Sequence, residues 1–248
     1  MNHAHNVRDV YGHERVMATR SRDTGRLSLA SAIDSVFPWV VFDMDGTLAN
    51  SFELIVGSFN YAAGKFMDKP ITKKDAISIP GGTLEEQLGS YVPSGHVFHA
   101  VERYHAYYRQ HFDRNACSYG GIDELLFTLK RRGVNLAVYT GADEESAQFT
   151  LQKLGLSRFF STIVTGGDVR KPKPDPEGLR IVMNATGARS NQMTYVGDHP
   201  NDVKASRNAG IKSAAAYWGS LHKEELETLE PDFGFRHPSE AVALLESA

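Results

Sequence analysis

Cysteine is all but missing from this chain: Cys117 is the single one among 248 residues. One thiol forms no intramolecular disulfide and builds no thiolate zinc cage. Long apolar runs are missing as well. Val40-Val41-Phe42 and Ala214-Ala215-Ala216 fall far short of the ~20 residues that span a bilayer. The first 37 residues hold no apolar stretch of the kind a secretory signal needs. Charge of one sign is not in excess either: 27 Lys and Arg stand against 30 Asp and Glu, a formal net charge of −3. That balance argues against a surface built to neutralise nucleic-acid phosphates or anionic lipid. Neither a G-x-x-x-x-G-K-[ST] phosphate loop nor a G-x-G-x-x-G fingerprint occurs, so nucleotide-dependent kinase and dinucleotide readings fall away. The expectation is a reduced, soluble, cytoplasmic protein with neither a nucleic-acid nor a membrane partner.

What is present is the material of a packed core, with 41% hydrophobic and 23% charged residues. Residues 1–37 differ from the rest. Arg8, Arg15, Arg20, Arg22 and Arg26 stand there against Asp9, Glu14, Asp23 and Asp34, and apolar periodicity begins only at Leu27. They read as a loosely held arm with a short helix near Leu27–Val36; the acids weigh against a transit peptide, and Met17 offers an alternative start.

From Trp39 onward short apolar runs alternate with helical stretches. Trp39–Phe42, Val134–Tyr139, Thr162–Val164, Met193–Val196 and Lys212–Ala216 read as strands. Helices are expected over Ile122–Arg132, Glu144–Leu154, Asp175–Thr186 and Asn201–Ala209, with Gly133, Gly155, Gly187 and Gly210 behind them, and two more helices at the C-terminus. This alternation predicts an α/β fold, a Rossmann-like doubly wound parallel sheet with helices on both faces. One interval breaks the rhythm. About 90 residues separate the first strand from the second, where a crossover helix needs only ~10–15. The interval shows helical patterning (Phe52, Ile55, Phe59, Ala63; then Val97, Val101, Tyr104, Tyr108) and no good strand. It reads as an inserted all-helical cap domain, residues 51–119, in a core of residues 38–50 and 120–248.

In an open parallel sheet ligands bind beyond the carboxyl ends of the strands. The first strand ends in Asp43-Met44-Asp45-Gly46-Thr47-Leu48 and the second in Thr140-Gly141. The loop after the third carries Lys171-Pro172-Lys173-Pro174-Asp175, and the fourth ends in Gly197-Asp198-His199-Pro200-Asn201-Asp202. Four carboxylates, a hydroxyl and a lysine thus gather at one edge, which no packing argument requires. Clustered carboxylates need a compensating cation, and an oxygen-only donor set favours Mg²⁺ over zinc. Lysine and threonine beside such a metal suit phosphate oxygens, and a carboxylate can act as nucleophile through an aspartyl-phosphate. The chemistry points to phosphoryl transfer.

With these motifs in order, the sequence resembles a phosphatase of the haloacid dehalogenase superfamily. A fixed D-x-D-G-T-L match in a chain of this length arises by chance roughly a few times in ten thousand. Thr140 fits the second motif of that superfamily, Lys171 the third in its K-P-x-P-D setting, and Asp198 with Asp202 the fourth. The resemblance implies Asp43 as nucleophile and Asp45 as the acid that protonates the leaving oxygen and later deprotonates water. It implies Mg²⁺ held by Asp43, Asp198 and the backbone carbonyl of Asp45, with Asp202 as a further ligand or close behind. Phosphoryl oxygens would meet Thr140, Lys171 and backbone N–H groups near Met44 and Gly141. Asp45 argues against a dehalogenase, and Thr47 against a sugar-phosphate mutase. Within the superfamily the pattern is most similar to phosphoglycolate phosphatases and their pyrophosphatase relatives, through the helical insert, Tyr119-Gly120-Gly121-Ile122 and Pro231-Asp232. Asn50, where those relatives often have Asp, and the N-terminal arm depart from them.

Several residues admit competing readings. Lys173 is the alternative to Lys171. Gly81, Gly82 and Thr83 fall where relatives place a substrate-specificity loop, and His199 is a further candidate for contact with substrate. His96, His99, His105 and His111 read as surface or packing residues rather than metal ligands, and Cys117 as no nucleophile. Val97, Val101, Tyr104, Tyr108 and Phe112 form one helical stripe, so core packing outweighs a nucleic-acid reading of that segment. The expected partner is a small phosphorylated metabolite, 2-phosphoglycolate first by resemblance. Pyrophosphatase, mutase or a non-catalytic binding module are the alternatives, and the protein is either a monomer or a homodimer.

Overall fold

A strand covered on both faces needs apolar residues at every position, and Val40, Val41 and Phe42 are wholly shielded from solvent. In the computed structural model of the protein, which describes residues 37–76 and 82–245, they lie inside a parallel sheet. The chain runs through β1 (Trp39–Phe42), β2 (Ala49–Asn50), α1 (Phe52–Ala63), α2 (Lys73–Ala76), α3 (Leu84–Gly89) and α4 (Val97–Asn115). Then follow β3 (Cys117–Ser118), α5 (Ile122–Arg131), β4 (Asn135–Tyr139), α6 (Glu144–Lys153), β5 (Thr162–Val164) and α7 (Glu177–Thr186). The last elements are β6 (Met193–Gly197), α8 (Pro200–Ala209), β7 (Lys212–Ala216), α9 (Lys223–Thr228) and β8 (Phe233–Phe235).

The main sheet has the order β5-β4-β1-β6-β7-β8 with every pairing parallel. Val41 of β1 lies opposite Ala137 of β4 on one side and Tyr195 of β6 on the other. The chain order reverses at β1, and such a switch point opens a crevice at the carboxyl ends of the strands. Side chains alternate between faces as the pleat requires. Val40, Phe42, Leu136 and Val138 pack with Leu125, Leu126 and Leu129 of α5 and Leu151 of α6. Val41, Ala137, Tyr139 and Tyr195 pack with Leu179 and Val182 of α7 and Ala205 of α8. The Rossmann-like α/β core read from the sequence is the observed one.

Helices α1, α3 and α4 bury a second apolar cluster, in which Leu54 and Phe59 of α1 meet Leu84 and Leu88 of α3 and Tyr104, Tyr108 and Phe112 of α4. The segment was expected to be wholly helical; it is bracketed by a short antiparallel ribbon. Ala49 pairs with Ser118 and Asn50 with Cys117, so the chain enters and leaves the helices through paired strands. Two residues are too few to show a period in sequence. The second difference lies at the C-terminus. Instead of two helices the chain forms α9, then the edge strand β8, then a 3₁₀ segment over Pro238–Leu245. Phe233 of β8 packs edge-on against Phe37, ring centres 5.9 Å apart, so Phe37 belongs to the core and not to an arm. The expected helix near Leu27–Val36 lies outside the described residues. No described helix is long and apolar enough to cross a membrane.

Candidate active site

The loop that leaves β1 is folded by its own backbone. The Met44 carbonyl accepts the N–H groups of Leu48 at 2.8 Å and Ala49 at 2.9 Å, and Met44 itself is fully buried. Gly46 has φ +81°, and a Cβ there would lie 2.3 Å from Asp198 Oδ2, so only glycine lets the two loops approach. Thr47 donates its hydroxyl to Asp198 Oδ1 at 3.1 Å. Ser51 donates to the Asp45 carboxylate. Thr140, at the end of β4, is buried and accepts the N–H of Ala142 at 3.1 Å.

The lysine at this site is Lys173, not Lys171. Lys173 Nζ donates to Asp43 Oδ1 at 2.8 Å, Asp202 Oδ1 at 2.7 Å and the Tyr195 hydroxyl at 3.1 Å. The Lys171 side chain is 76% exposed, and its nearest acid is Asp175 at 4.0 Å. The loop bends after Lys171, whose N–H is tied to Glu177 at 2.9 Å, and only the second lysine turns inward. The sequence holds two overlapping K-P-x-P frames, Lys171 to Pro174 and Lys173 to Pro176, and the second is the one whose lysine reaches the carboxylates.

Asp43, Asp198 and Asp202 are all buried, and each offers a carboxylate oxygen within 4.8 Å of the others. Burial pushes the Asp43 carboxyl up to about 7 against the pull of the Lys173 ammonium. Burial pushes Asp45 up to about 6, opposed by the hydrogen bond from Ser51. Asp198 is raised well above the usual carboxylate range by burial and by the charges of Asp43 and Asp202. One ammonium therefore faces three clustered carboxylates, and it reaches only two of them. An all-oxygen set with that deficit of positive charge fits a hard divalent cation.

His199 holds a different position. Its N–H donates to Asp202 Oδ2 at 2.9 Å, its Nδ1 accepts the N–H of Asn201 at 3.1 Å, and its ring lies 4.6 Å from that of His222. Burial lowers it to about 4, which keeps the ring neutral near pH 7. A cavity of about 230 Å³ opens beside Asp43 and Asp45, with Thr140, Gly141 and Lys173 at its floor. A second cavity of about 160 Å³ adjoins it and includes Gly82, His199 and Asp202. Gln87, Thr140, Gly141 and Lys173 border both. Thr83 instead caps α3, accepting the N–H of Glu86 at 3.2 Å. Gly81 lies outside the described residues. Sequence reasoning did not single out Ser51 or Tyr195, whose hydroxyl donates to the Tyr139 carbonyl at 2.7 Å and also meets Asp202.

Above the floor, α4 is clasped to the start of α6. His105 Nε2 lies 2.9 Å from Asp143 Oδ1, and its Nδ1 lies 3.2 Å from Glu145 Oε2. Arg109 pairs with Glu145, and the hydroxyls of Tyr108 and Thr150 meet at 2.8 Å. Partial burial disfavours a charged His105, but the hydrogen bond and charge of Asp143 and the charge of Glu145 outweigh it and raise its pKa. The folded state thus holds this proton more tightly than the unfolded one. The clasp contributes fully below about pH 6.5, the ordinary imidazole value, and its contribution is lost as pH rises through the raised value. Urea unfolding of the wild type and His105→Gln should therefore differ most near pH 6 and converge toward pH 9. A constant difference across that range would exclude the ionic clasp.

Residues 40–216, well over half of the chain, match the haloacid dehalogenase-like hydrolase family. The chain belongs to that family. A pyrophosphatase PpaX of Halalkalibacterium halodurans is 34% identical over 197 residues, which is 79% of this chain and 91% of the relative. A second PpaX, from Bacillus velezensis, is 30% identical over 78% of this chain and 89% of its own length. Among solved structures of the same fold, a predicted phosphoglycolate phosphatase of Haemophilus somnus aligns with a TM-score of 0.76 at 22% identity. That alignment covers 85% of this chain and 99% of the other. CbbY of Rhodobacter sphaeroides, solved in complex with phosphate, aligns at 0.72 and 22% identity over 85% and 100%. Membership makes this chain a hydrolase of the haloacid dehalogenase phosphatase type, with the fold that type shares.

Proposed function

We propose that this protein is a Mg²⁺-dependent phosphatase that hydrolyses a small phosphorylated metabolite through an aspartyl-phosphate. One observation carries the reading: Asp43, at the carboxyl end of β1, lines a cavity while a buried ammonium holds one of its carboxylate oxygens at 2.8 Å. An Asp43 oxygen attacks phosphorus, and the bond from phosphorus to the alcohol oxygen breaks. Asp45 hands its proton to that oxygen, and the alcohol departs. Asp45 then takes a proton from water as the water oxygen attacks the aspartyl-phosphate, which frees inorganic phosphate and restores Asp43. Lys173, the Thr140 hydroxyl and backbone N–H groups near Met44 and Gly141 stabilise the transferring oxygens. Asp43, Asp198 and Asp202 would hold the Mg²⁺. Bound there, the ion supplies the positive charge that lets an anionic nucleophile approach an anionic phosphoryl group. Helices α1 to α4 act as a cap that excludes bulk water and selects the leaving group.

Resemblance favours 2-phosphoglycolate, and the relatives' names favour pyrophosphate. Both carry a second anionic group, which the cavity must then compensate. Phosphate release should be measured across 2-phosphoglycolate, pyrophosphate, sugar phosphates and nucleoside monophosphates, with Mg²⁺ and with EDTA. At least one ester should release phosphate, and EDTA should reduce that rate by about a hundredfold or more. Equal release with and without chelator would overturn the metal assignment. A transfer of phosphoryl between sugar hydroxyls without free phosphate would establish a mutase.

A further inference from the structure

We propose that Tyr195 is a positioning residue for the transfer step: with Asp202 it pins the Lys173 ammonium at two points, so that the third N–H can pass from Asp43 to the phosphoryl group. The inference rests on the phosphatase reading and adds a residue to it. Tyr195 lies on β6 opposite Val41 of β1 and is 1% exposed. Its hydroxyl has one proton to give. Of the two acceptors in reach, the Tyr139 carbonyl at 2.7 Å is nearer than Asp202 Oδ1 at 3.2 Å. Tyr139 belongs to β4, on the far side of β1, so this bond spans the strand that ends in Asp43. With the proton committed there, the hydroxyl oxygen keeps lone pairs for Lys173 Nζ at 3.1 Å.

An ammonium has three N–H donors. Those of Lys173 meet Asp43 Oδ1 at 2.8 Å, Asp202 Oδ1 at 2.7 Å and the Tyr195 oxygen at 3.1 Å, and none is left over for a substrate oxygen. One partner must therefore be exchanged during phosphoryl transfer. Chemistry selects Asp43. Once its carboxylate bonds to phosphorus it is no longer an anion, while the phosphoryl oxygens still are, and a charge-assisted N–H follows the charge. Asp202 and Tyr195 make and break no covalent bond, and both are braced from behind. A Cβ on Gly197 would lie 2.4 Å from the Asp202 carboxyl carbon, and Asp202 Oδ2 accepts the His199 N–H at 2.9 Å. Helix α7 presses on the Tyr139 ring, where a Cβ on Gly178 would fall 2.1 Å from it. Nζ stands 5.3 Å from the centre of that ring and 5.7 Å from that of Tyr195, an attraction that the reaction leaves in place.

The test is Tyr195→Phe, which keeps the ring and deletes the hydroxyl, with Tyr195→Met in its place should that variant unfold. Rates are taken with Mg²⁺ on whichever of 2-phosphoglycolate, pyrophosphate, sugar phosphates and nucleoside monophosphates the wild type hydrolyses fastest. The variant should lose about tenfold or more in kcat and hold KM within about threefold, because the ammonium is misplaced for the transition state and not for ground-state binding. The Mg²⁺ concentration for half-maximal rate should stay within about twofold, which separates an effect on Lys173 from one on Asp202 as metal ligand. In a Lys173→Ala background, or Lys173→Met should alanine fold poorly, the same change at Tyr195 should alter kcat by less than about twofold. An undiminished kcat in Tyr195→Phe would overturn the proposal. So would an equal loss in the lysine-free background, or a loss that excess Mg²⁺ restores. No phosphate release by the wild type from any of these substrates would instead overturn the phosphatase reading, and the inference with it.

Discussion

Replacing Asp43 by Asn is expected to abolish turnover, by about 10⁴-fold or more, and to leave the fold in place. The amide presents no anionic oxygen, so no phosphoenzyme forms. The structure explains why stability should survive the change. The Asn carbonyl can still accept from Lys173, whose second partner, Asp202 at 2.7 Å, is untouched. Burial already raises Asp43 to about 7, so the folded protein gains little from ionising it there. Phosphate release and thermal unfolding on the same preparation check both halves. A folded Asp43→Asn protein that keeps a tenth of the activity would remove the covalent mechanism.

Lys173→Ala and Lys171→Ala should part company sharply. Loss of the Lys173 ammonium strands Asp43 and Asp202 in a buried site, a change that costs about 3 kcal/mol or more. Turnover should fall about 10²–10³-fold, because the proposed mechanism sets the same ammonium against the phosphoryl oxygens. Without that charge, nothing on the lysine side opposes the effect of burial on Asp43, so its carboxyl pKa rises further. The acid limb of the pH–rate profile should therefore move to higher pH. Lys171→Ala removes a side chain that is 76% exposed and should change stability by no more than about 0.5 kcal/mol. Urea titrations and initial rates of the two variants decide the matter. Inactivation by Lys171→Ala alone would return the role to the first lysine.

The sheet was legible because a doubly covered strand writes itself as an unbroken apolar run, as in Val40-Val41-Phe42, and because glycines punctuate the helices. The edge where the acids gather was legible from strand ends alone. The choice between two lysines was not, since Lys171 and Lys173 each open a K-P-x-P frame and the turn of the loop decides which one reaches the carboxylates. Thr47 and its partner Asp198 are 151 residues apart, and no local pattern announces a hydrogen bond of that span. The stripe on α4 was read as packing, and Tyr104, Tyr108 and Phe112 do pack. Periodicity could not reveal that Tyr104 and Tyr108 also face the cavity, because one ring has two sides. The strand β8 escaped notice because three residues carry no period.

The ribbon of β2 and β3 makes the helical insertion a graft on a single stem. Paired strands lie about 4.8 Å apart, so the points where the chain departs and returns are neighbours. From the sheet's side, the 66 residues from Ser51 to Ala116 occupy the place of a hairpin turn. Their number and architecture can vary as long as both ends meet at the stem and the face toward α6, which α4 now meets through His105, Tyr108 and Arg109, is repacked. A different set of helices, or a bare turn, could be spliced between Asn50 and Cys117 without asking β1 or β4 to shift. The carboxylate floor and the helices above it are thus separable inheritances. Ser51, at the foot of the stem, belongs to both, since it is the first residue beyond β2 and its hydroxyl holds Asp45.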